Sequence, residues 1–401
     1  MKRLFFAVLR RFLWGVGYLL PIKKDRILIS SYYGRGYGDN LKYIVEELIK
    51  RIPTAEIVWL VKDEKEAKSL PANIKASRYG SFRSIFYFVT AGIWIDNCRK
   101  SFFYKKKRQL YIQTWHGGGA QKKCELDAVD KLSPAYTKMA LKDSKNIDIM
   151  ISESRFLTEM YYRSFWYDGP VYECGYPRYD LLLNHDETLR DRVYAYFGID
   201  KEKLLVLYAP TFRVDYSFKA YNVDFERLRK SLNKRFGNDY VVLVHLHPNV
   251  ANIEGGMDYN GTTVINATFY PDTQELIAAA SILVGDYSSI NYDFSLKKMP
   301  VIRYVTDLEE YRNDRDLYFS FDEYPYPCAM DNDELEELVL NFDDEEYLER
   351  LDAFFAKIGA VFCRNSSEKI ADLIVDYLHS KKKKDFFERN MHRLVAKNEI
   401  M

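Results

Sequence analysis

From residue 25 onward, short continuous apolar runs alternate with stretches whose apolar residues recur every three or four positions. The first pattern predicts strands buried on both faces, and the second predicts amphipathic helices. Residues 26–31 (RILISS), 56–61 (EIVWLV), 92–96 (GIWID), 110–114 (LYIQT) and 147–151 (IDIMI) read as strands. Residues 40–50 read as a helix with Leu41, Ile44, Val45 and Leu48 on one face. After a proline turn at 175–180 the alternation restarts, with strands at 204–208 (LLVLY), 240–246 (YVVLVHL), 282–284 (ILV) and 301–304 (VIRY). Helices are expected at 275–280, from 291 to 296, at 349–362 and at 368–378. This repeated alternation predicts an α/β protein whose two halves share the strand, turn and helix theme of Rossmann folds. With 401 residues there is enough chain for two domains, each with its own core.

The first 22 residues break this pattern. Lys2, Arg3, Arg10 and Arg11 are interspersed with Phe5, Phe6, Leu9, Phe12, Leu13, Val16, Leu19 and Leu20. The apolar stretch 12–22 contains Pro21 and falls short of the roughly 20 residues that span a bilayer. Tyr18-Leu-Leu-Pro21 makes a poor signal-peptide cleavage site. The expectation is an amphipathic helix lying in the membrane interface with its basic residues toward anionic headgroups; a core helix of the first domain is the alternative. The expected organisation is therefore a membrane-associating segment at 1–24, a first Rossmann-like domain at 25–187, a second at 188–380 and a basic tail at 381–401. That tail, with Lys381–Lys384, Arg389, Arg393 and Lys397, either lies against the same membrane or is a solvated end.

Charge and cysteine content narrow the function classes. The net charge is only +1, which argues against a surface built for nucleic acid. Seven Lys or Arg stand against one acid in the first 26 residues, so the rest of the chain is net acidic. The five cysteines form no C-x-x-C pair, so neither a zinc site nor a disulfide framework is indicated, and a reducing cytoplasm fits.

The chemistry gathers where strands end. Thr114-Trp-His116-Gly117-Gly118-Gly119 follows the strand at 110–114, and its glycines let backbone amides approach a ligand closely. The triple glycine resembles the oxyanion loop of lipases, but the chain has no G-x-S-x-G elbow, which excludes that hydrolase. Gly34-x-Gly36-x-Gly38 lacks the full dinucleotide spacing and is no sign of NAD. His247 follows the strand at 240–246 in the other half; if the halves face each other, both imidazoles open into one cleft. Histidine suits either proton abstraction from a hydroxyl or, protonated, a phosphate contact. Asp286-Tyr-Ser288-Ser289 sits at a strand-to-helix transition, a seat for phosphate or a plain helix cap. Thr211 and Arg213 add a donor and a fixed cation, and Arg312 and Arg315 could supply a second cation.

These segments, in this order, resemble the CDP-glycerol glycerophosphotransferases that build teichoic acids and related polymers. The resemblance rests on Gln113 to Gly117 with Lys122-Lys123, Gly175 to Asp180, Tyr208 to Arg213, His245 to Pro248, Asp286 to Phe294, Met299 to Tyr304, Asp307 to Arg315 and Arg364 to Ile370. Two departures stand out: Gly118-Gly119 replaces the family's Thr-Pro, and Lys369 replaces an Arg. The resemblance implies a GT-B architecture, two Rossmann-like domains facing a central cleft, with CDP-glycerol held mainly by the second. It implies His116 as general base and His247 as support for the phosphate or leaving group. Gly117, Gly118, Thr211, Arg213, Pro248, Asp286, Ser288, Ser289, Arg315, Ser367 and Glu368 would bind substrate. No cofactor and no metal are expected, because no acidic D-x-D cluster stands at the motifs. The implied partners are CDP-glycerol, a lipid-linked saccharide or polymer acceptor and an anionic membrane surface, at the cytoplasmic face; a homo-oligomer is left open. CDP-ribitol or a nucleotide sugar as donor, and a non-catalytic GT-B binding module, are the alternatives.

Overall fold

The apolar runs become strands because both of their faces are covered. Every residue of β4 (Ala91–Asp96) and β5 (Leu110–Gln113) is buried, as is all but the first of β2 (Glu56–Val61). Such strands have no polar face to offer water and are stable only inside a parallel sheet flanked by helices. The computed structural model describes residues 12–100, 105–119, 121–184, 186–211, 221–246, 259, 261–308 and 316–399.

Two parallel sheets result. The first adds β1 (Lys23–Ser30), β3 (Lys75–Arg78), β6 (Ile149–Ser152) and β7 (Val171–Glu173), in the order β3-β2-β1-β4-β5-β6-β7. The second contains β8 (Leu204–Tyr208), β9 (Tyr240–Val244), β10 (Val264–Asn266), β11 (Ile282–Gly285), β12 (Val301–Tyr304) and β13 (Cys328–Ala329), in the order β10-β9-β8-β11-β12-β13. In each sheet the chain winds outward from the first strand, returns, and winds the other way. This doubly wound order creates a switch point, between β1 and β4 in one sheet and between β8 and β11 in the other, where open α/β sheets take their ligands.

The contacts divide the chain into one unit of residues 1–116, 124–180 and 361–401 and another of 117–123 and 181–360. The sequence reading puts residues 361–380 with the second half, whereas their contacts lie in the first unit. Helix Ser366–His379 packs on helix Asp39–Arg51. Its first amides, from Ser366 and Ser367, donate to Asp180 at 2.8 and 2.7 Å. The basic tail is tied to the same unit: Lys383 Nζ donates to Asp148 Oδ1 at 2.5 Å, and Val395 pairs with Val171 as an antiparallel bridge. Lys383 is thus part of a half-buried charge cluster with Asp148, neither a membrane contact nor a solvated charge.

Of the segment expected to lie on a membrane, residues 1–11 fall outside the described residues. Residues 12–17 are helical and two-sided. Trp14 is buried against Phe88 at 5.8 Å between ring centres, while Phe12 and Leu19 are 65% and 85% exposed. Lys106 Nζ holds the end of this segment through Leu20 O at 2.6 Å. No helix among the described residues is long and apolar enough to cross a membrane.

Candidate active site

His116 stands just beyond β5, beside the first sheet's switch point. The turn after β4 meets it. Asp96 accepts from Cys98 N at 2.8 Å and pairs with Lys100, which fixes the turn, and the Asn97 carbonyl accepts from His116 Nδ1 at 2.6 Å. A carbonyl can only accept, so Nδ1 carries the proton and the lone pair lies on Nε2. Burial pushes the imidazole pKa down, a nearby Arg178 adds to that, and the Asn97 bond and Asp39 oppose it. A neutral ring with a free basic nitrogen is the state a general base needs.

The Cys98 sulfur lies 3.8 Å from Nδ1. Burial and the neighbouring Asp96 hold that thiol far above its ordinary range, so the pair is not a thiolate nucleophile and its base. Tyr32 meets the imidazole edge-on at 5.4 Å.

Backbone strain is concentrated here. Trp115 has φ +56°, a left-handed conformation costly for a bulky side chain. It is held there by Gln113 Oε1, which accepts its N–H at 2.9 Å, and by Thr114 Oγ1, which donates to its carbonyl at 3.0 Å. Gln113 also donates to Cys98 O at 3.0 Å, so one buried side chain ties the two turns together. Behind them Arg99 is fully buried between Glu125, Asp143 and the Phe165 ring.

The chain leaves this unit directly after His116. Gly117 and Gly118 belong to the other unit, and Gly119 is required on two counts. Its φ is +66°, and a Cβ would come within 2.3 Å of the Tyr292 ring. The loop then pairs with the segment after residue 315: Lys122 bridges Leu317, and Lys123 N donates to Asp316 O at 2.9 Å.

At the second switch point Thr211 and Asp286 are joined. Asp286 accepts from Thr211 N at 2.8 Å, from Thr211 Oγ1 at 2.6 Å and from Tyr287 N at 2.6 Å. Its carboxylate is therefore spent on setting the ends of β8 and β11. A carboxylate that accepts these three bonds positions its neighbours. Ser288 and Ser289 follow at the start of helix Ile290–Ser295, where Ser289 makes no side-chain cap bond. Ser367 and Glu368 belong to the first unit. The Ser367 amide is used by Asp180, and Glu368 faces Arg51 at 3.8 Å. Arg213, His247, Pro248, Arg312 and Arg315 lie outside the described residues. His245, two positions earlier, is engaged at both nitrogens, by Ala267 O at 3.0 Å and Thr273 Oγ1 at 3.1 Å.

The sequence reading missed Asp39, Asn40, Asn97 and Arg178, all buried around His116. A signal was present: Asn97 follows a strand directly, as His116 nearly does, and Asp39 and Arg178 end the G-x-G-x-G and G-x-P-R turns.

Two doubly wound parallel sheets, with a histidine at one switch point and a hydroxyl-bearing turn at the other, place this chain among doubly wound α/β proteins that carry polar groups at the ends of their strands. The chain belongs to the CDP-glycerol:poly(glycerophosphate) glycerophosphotransferase family, whose model matches residues 14–376. It is 29% identical over 374 residues to a teichoic acid poly(glycerol phosphate) polymerase of Staphylococcus epidermidis, covering 88% of this chain and 51% of that protein. It thus spans about half the length of that relative. It is also 29% identical over 375 residues to a teichoic acid ribitol-phosphate primase of Bacillus spizizenii, covering 90% of this chain and 94% of that one. A solved structure of the wall teichoic acid polymerase TagF superposes with a TM-score of 0.81 at 27% identity, covering 97% of each chain.

Proposed function

We propose that this protein transfers glycerol phosphate from CDP-glycerol to a hydroxyl of a lipid-linked saccharide or a growing poly(glycerol phosphate) chain. The acceptor oxygen attacks the β-phosphorus, the anhydride P–O bond breaks, and CMP leaves with the electron pair. His116 Nε2 takes the acceptor proton. In this reading the two units are the Rossmann-like halves of a GT-B enzyme, and His247, Arg213 and Arg315 carry phosphate charge with Thr211 and the Ser288-Ser289 turn. Cations and amides then do the neutralising that a metal does elsewhere. The observation that carries the proposal is the His116 arrangement: a proton fixed on Nδ1 by a main-chain carbonyl, in a chain of this family.

The test is CMP release from CDP-glycerol with a panel of lipid-linked acceptors, beside His116→Ala and His247→Ala. Acceptor-dependent release lost in both variants supports the reading; release unchanged in folded His116→Ala overturns the base assignment. The likeness to a ribitol-phosphate primase makes CDP-ribitol the second donor to run. CMP release with ribitol alone would move the donor and keep the chemistry.

We further propose a peripheral site on the cytoplasmic face of the membrane, engaged through residues 1–24. Exposed Phe12, Val16 and Leu19, beside the basic residues of the first 26, support it. Because Trp14 is packed inside, Phe12→Ser with Leu19→Ser is a cleaner test than deletion. Binding to vesicles containing anionic lipid should fall in this variant while donor turnover in detergent persists; unchanged binding would remove the membrane claim.

A further inference from the structure

Two turns singled out in the sequence, the G-x-G-x-G turn ending in Asp39 and the G-x-P-R turn ending in Arg178, have no role in the transfer scheme above. In the folded chain they meet each other and the histidine. Arg178 Nη1 donates to Asp39 Oδ1 at 2.7 Å, with only 3% and 6% of the two side chains exposed. The other Asp39 oxygen accepts from Asn97 Nδ2 at 2.5 Å, and Asn97 Oδ1 accepts from Tyr32 N at 2.9 Å. Asn97 is the residue whose carbonyl takes the His116 proton bond. Its peptide plane is therefore held from its own side chain.

Asp39 adopts φ +57°, which Asp tolerates better than most residues because its side chain bonds locally. Arg178 is set from several sides: its guanidinium lies 4.9 and 5.0 Å from the centres of the Tyr176 and Tyr179 rings, and its amide donates to Asn40 Oδ1 at 3.3 Å. Asn40 in turn donates to Trp115 O at 3.4 Å, next to the histidine. A buried ion pair is a poor way to gain stability, since desolvation offsets much of its attraction. Its position one side chain away from the carbonyl that orients the base is a better account of it.

We propose that the Asp39–Arg178 pair, acting through the Asn97 side chain, is a positioning device that fixes the tautomer and aim of His116. It rests on the reading of His116 as general base, yet its central test needs no substrate. The pair places a negative and a positive group near the imidazole, so removing each should move the ring's titration in opposite directions. Losing Asp39 removes stabilisation of the imidazolium and lowers the pKa; losing Arg178 removes repulsion and raises it. The other titratable groups near the ring are Asp96 and Cys98 in the same turn and Tyr32 after β1, and they are common to every variant.

The experiment is histidine-selective NMR titration of the full chain, with His116 assigned by difference against His116→Gln, applied to Asp39→Asn, Arg178→Gln and Asn97→Ala. The wild type should show the Nδ1–H tautomer. Asp39→Asn should lower and Arg178→Gln raise the His116 pKa, and all three variants should mix the tautomers. Where transfer is measurable, kcat should fall about a hundredfold, the scale of a misplaced catalytic group, with the donor KM unchanged. Arg178→Lys, which keeps the charge, should recover the titration. If a single variant fails to fold because one charge is left buried alone, the double variant Asp39→Asn/Arg178→Gln removes both charges and still reports the tautomer. An unchanged tautomer and titration, or shifts of the same sign in the two single variants, would overturn the proposal. If no donor or acceptor supports CMP release, the transferase reading fails while the titration still decides this one.

Discussion

The two switch points are built by opposite means. In the first unit the strand ends carry buried opposite charges: Asp39 with Arg178, Asp96 with Lys100, and Arg99 with Glu125 and Asp143. In the second, the buried carboxylate of Asp286 accepts from Thr211 and Tyr287. Charge pairs hold fixed distances over long spans of sequence, and they set the pKa of whatever lies among them. Amide and hydroxyl donors on a carboxylate fix the turn that carries them. In the proposed transfer, the first arrangement would hold the base in one protonation state, and the second would set the turn that receives phosphate.

This contrast can be broken at several points. Replacing Arg99 by Met should have the largest effect on stability, because Glu125 and Asp143 would be left buried without their cation. A loss of about 3–5 kcal/mol in urea unfolding is expected. A loss below about 1 kcal/mol would mean that those carboxyls take up protons freely and the cluster is not charge-paired.

The equivalent change in the second unit, Asp286→Ala, strands the Thr211 and Tyr287 donors. It should cost about 1–3 kcal/mol, with Asp286→Asn milder because an amide oxygen still accepts. If the carboxylate only sets the turn, the donor KM should rise in Asp286→Ala far more than kcat falls. A selective loss of kcat would instead place the carboxylate at the reacting atoms.

Gly119→Ala should be next, at about 1–3 kcal/mol from the clash with Tyr292. Tyr292→Ala should not restore that loss, since the Tyr292 Cβ itself lies 2.4 Å from the added methyl and the positive φ remains.

The smallest effect is a pH dependence at the rim of the first sheet. Burial raises the Glu56 pKa, but hydrogen bonds from Lys75, Lys23 and Arg26 outweigh it and hold the carboxyl at about 2. Because its folded pKa lies below its unfolded one, the stabilisation is complete above about pH 4.5 and lost as pH falls toward 2. The difference in urea midpoint between wild type and Glu56→Gln should therefore shrink over that window; a constant difference would show that packing and not charge is at work. Lys23 and Lys75 are largely exposed, so salt should shrink it too.

Much of the framework follows from local pattern. Strands at 56–61, 204–208 and 301–304 match β2, β8 and β12 residue for residue, because each is an apolar run with turn residues on both sides. The helix read at 349–362 is Asp344–Ile358: its apolar face begins only at Tyr347, while its true start is set by Asp343, whose side chain accepts from Glu345 N and Glu346 N. Strands β3, β7, β10 and β13 were not legible, being two to four residues long and placed toward the sheet edges. So short a stretch has no periodicity of its own and becomes a strand only when a neighbour supplies the hydrogen bonds.

The same division runs through the site. The sequence by itself determined the family and the two strand-and-helix halves, and it singled out His116 as a candidate, because a histidine and three glycines after an apolar run form a local mark. Only the tertiary structure decided what surrounds that histidine. Asp39 and Arg178 are 139 positions apart, and Asn97 acts through its main-chain carbonyl, a group every residue possesses. It also decided that residues 361–401 return to the first unit, through amides on Asp180 and an ammonium on Asp148. Hydrophobic periodicity is written along the chain at short range; which carbonyl, carboxylate and guanidinium meet is settled by where the sheets bring their strand ends together.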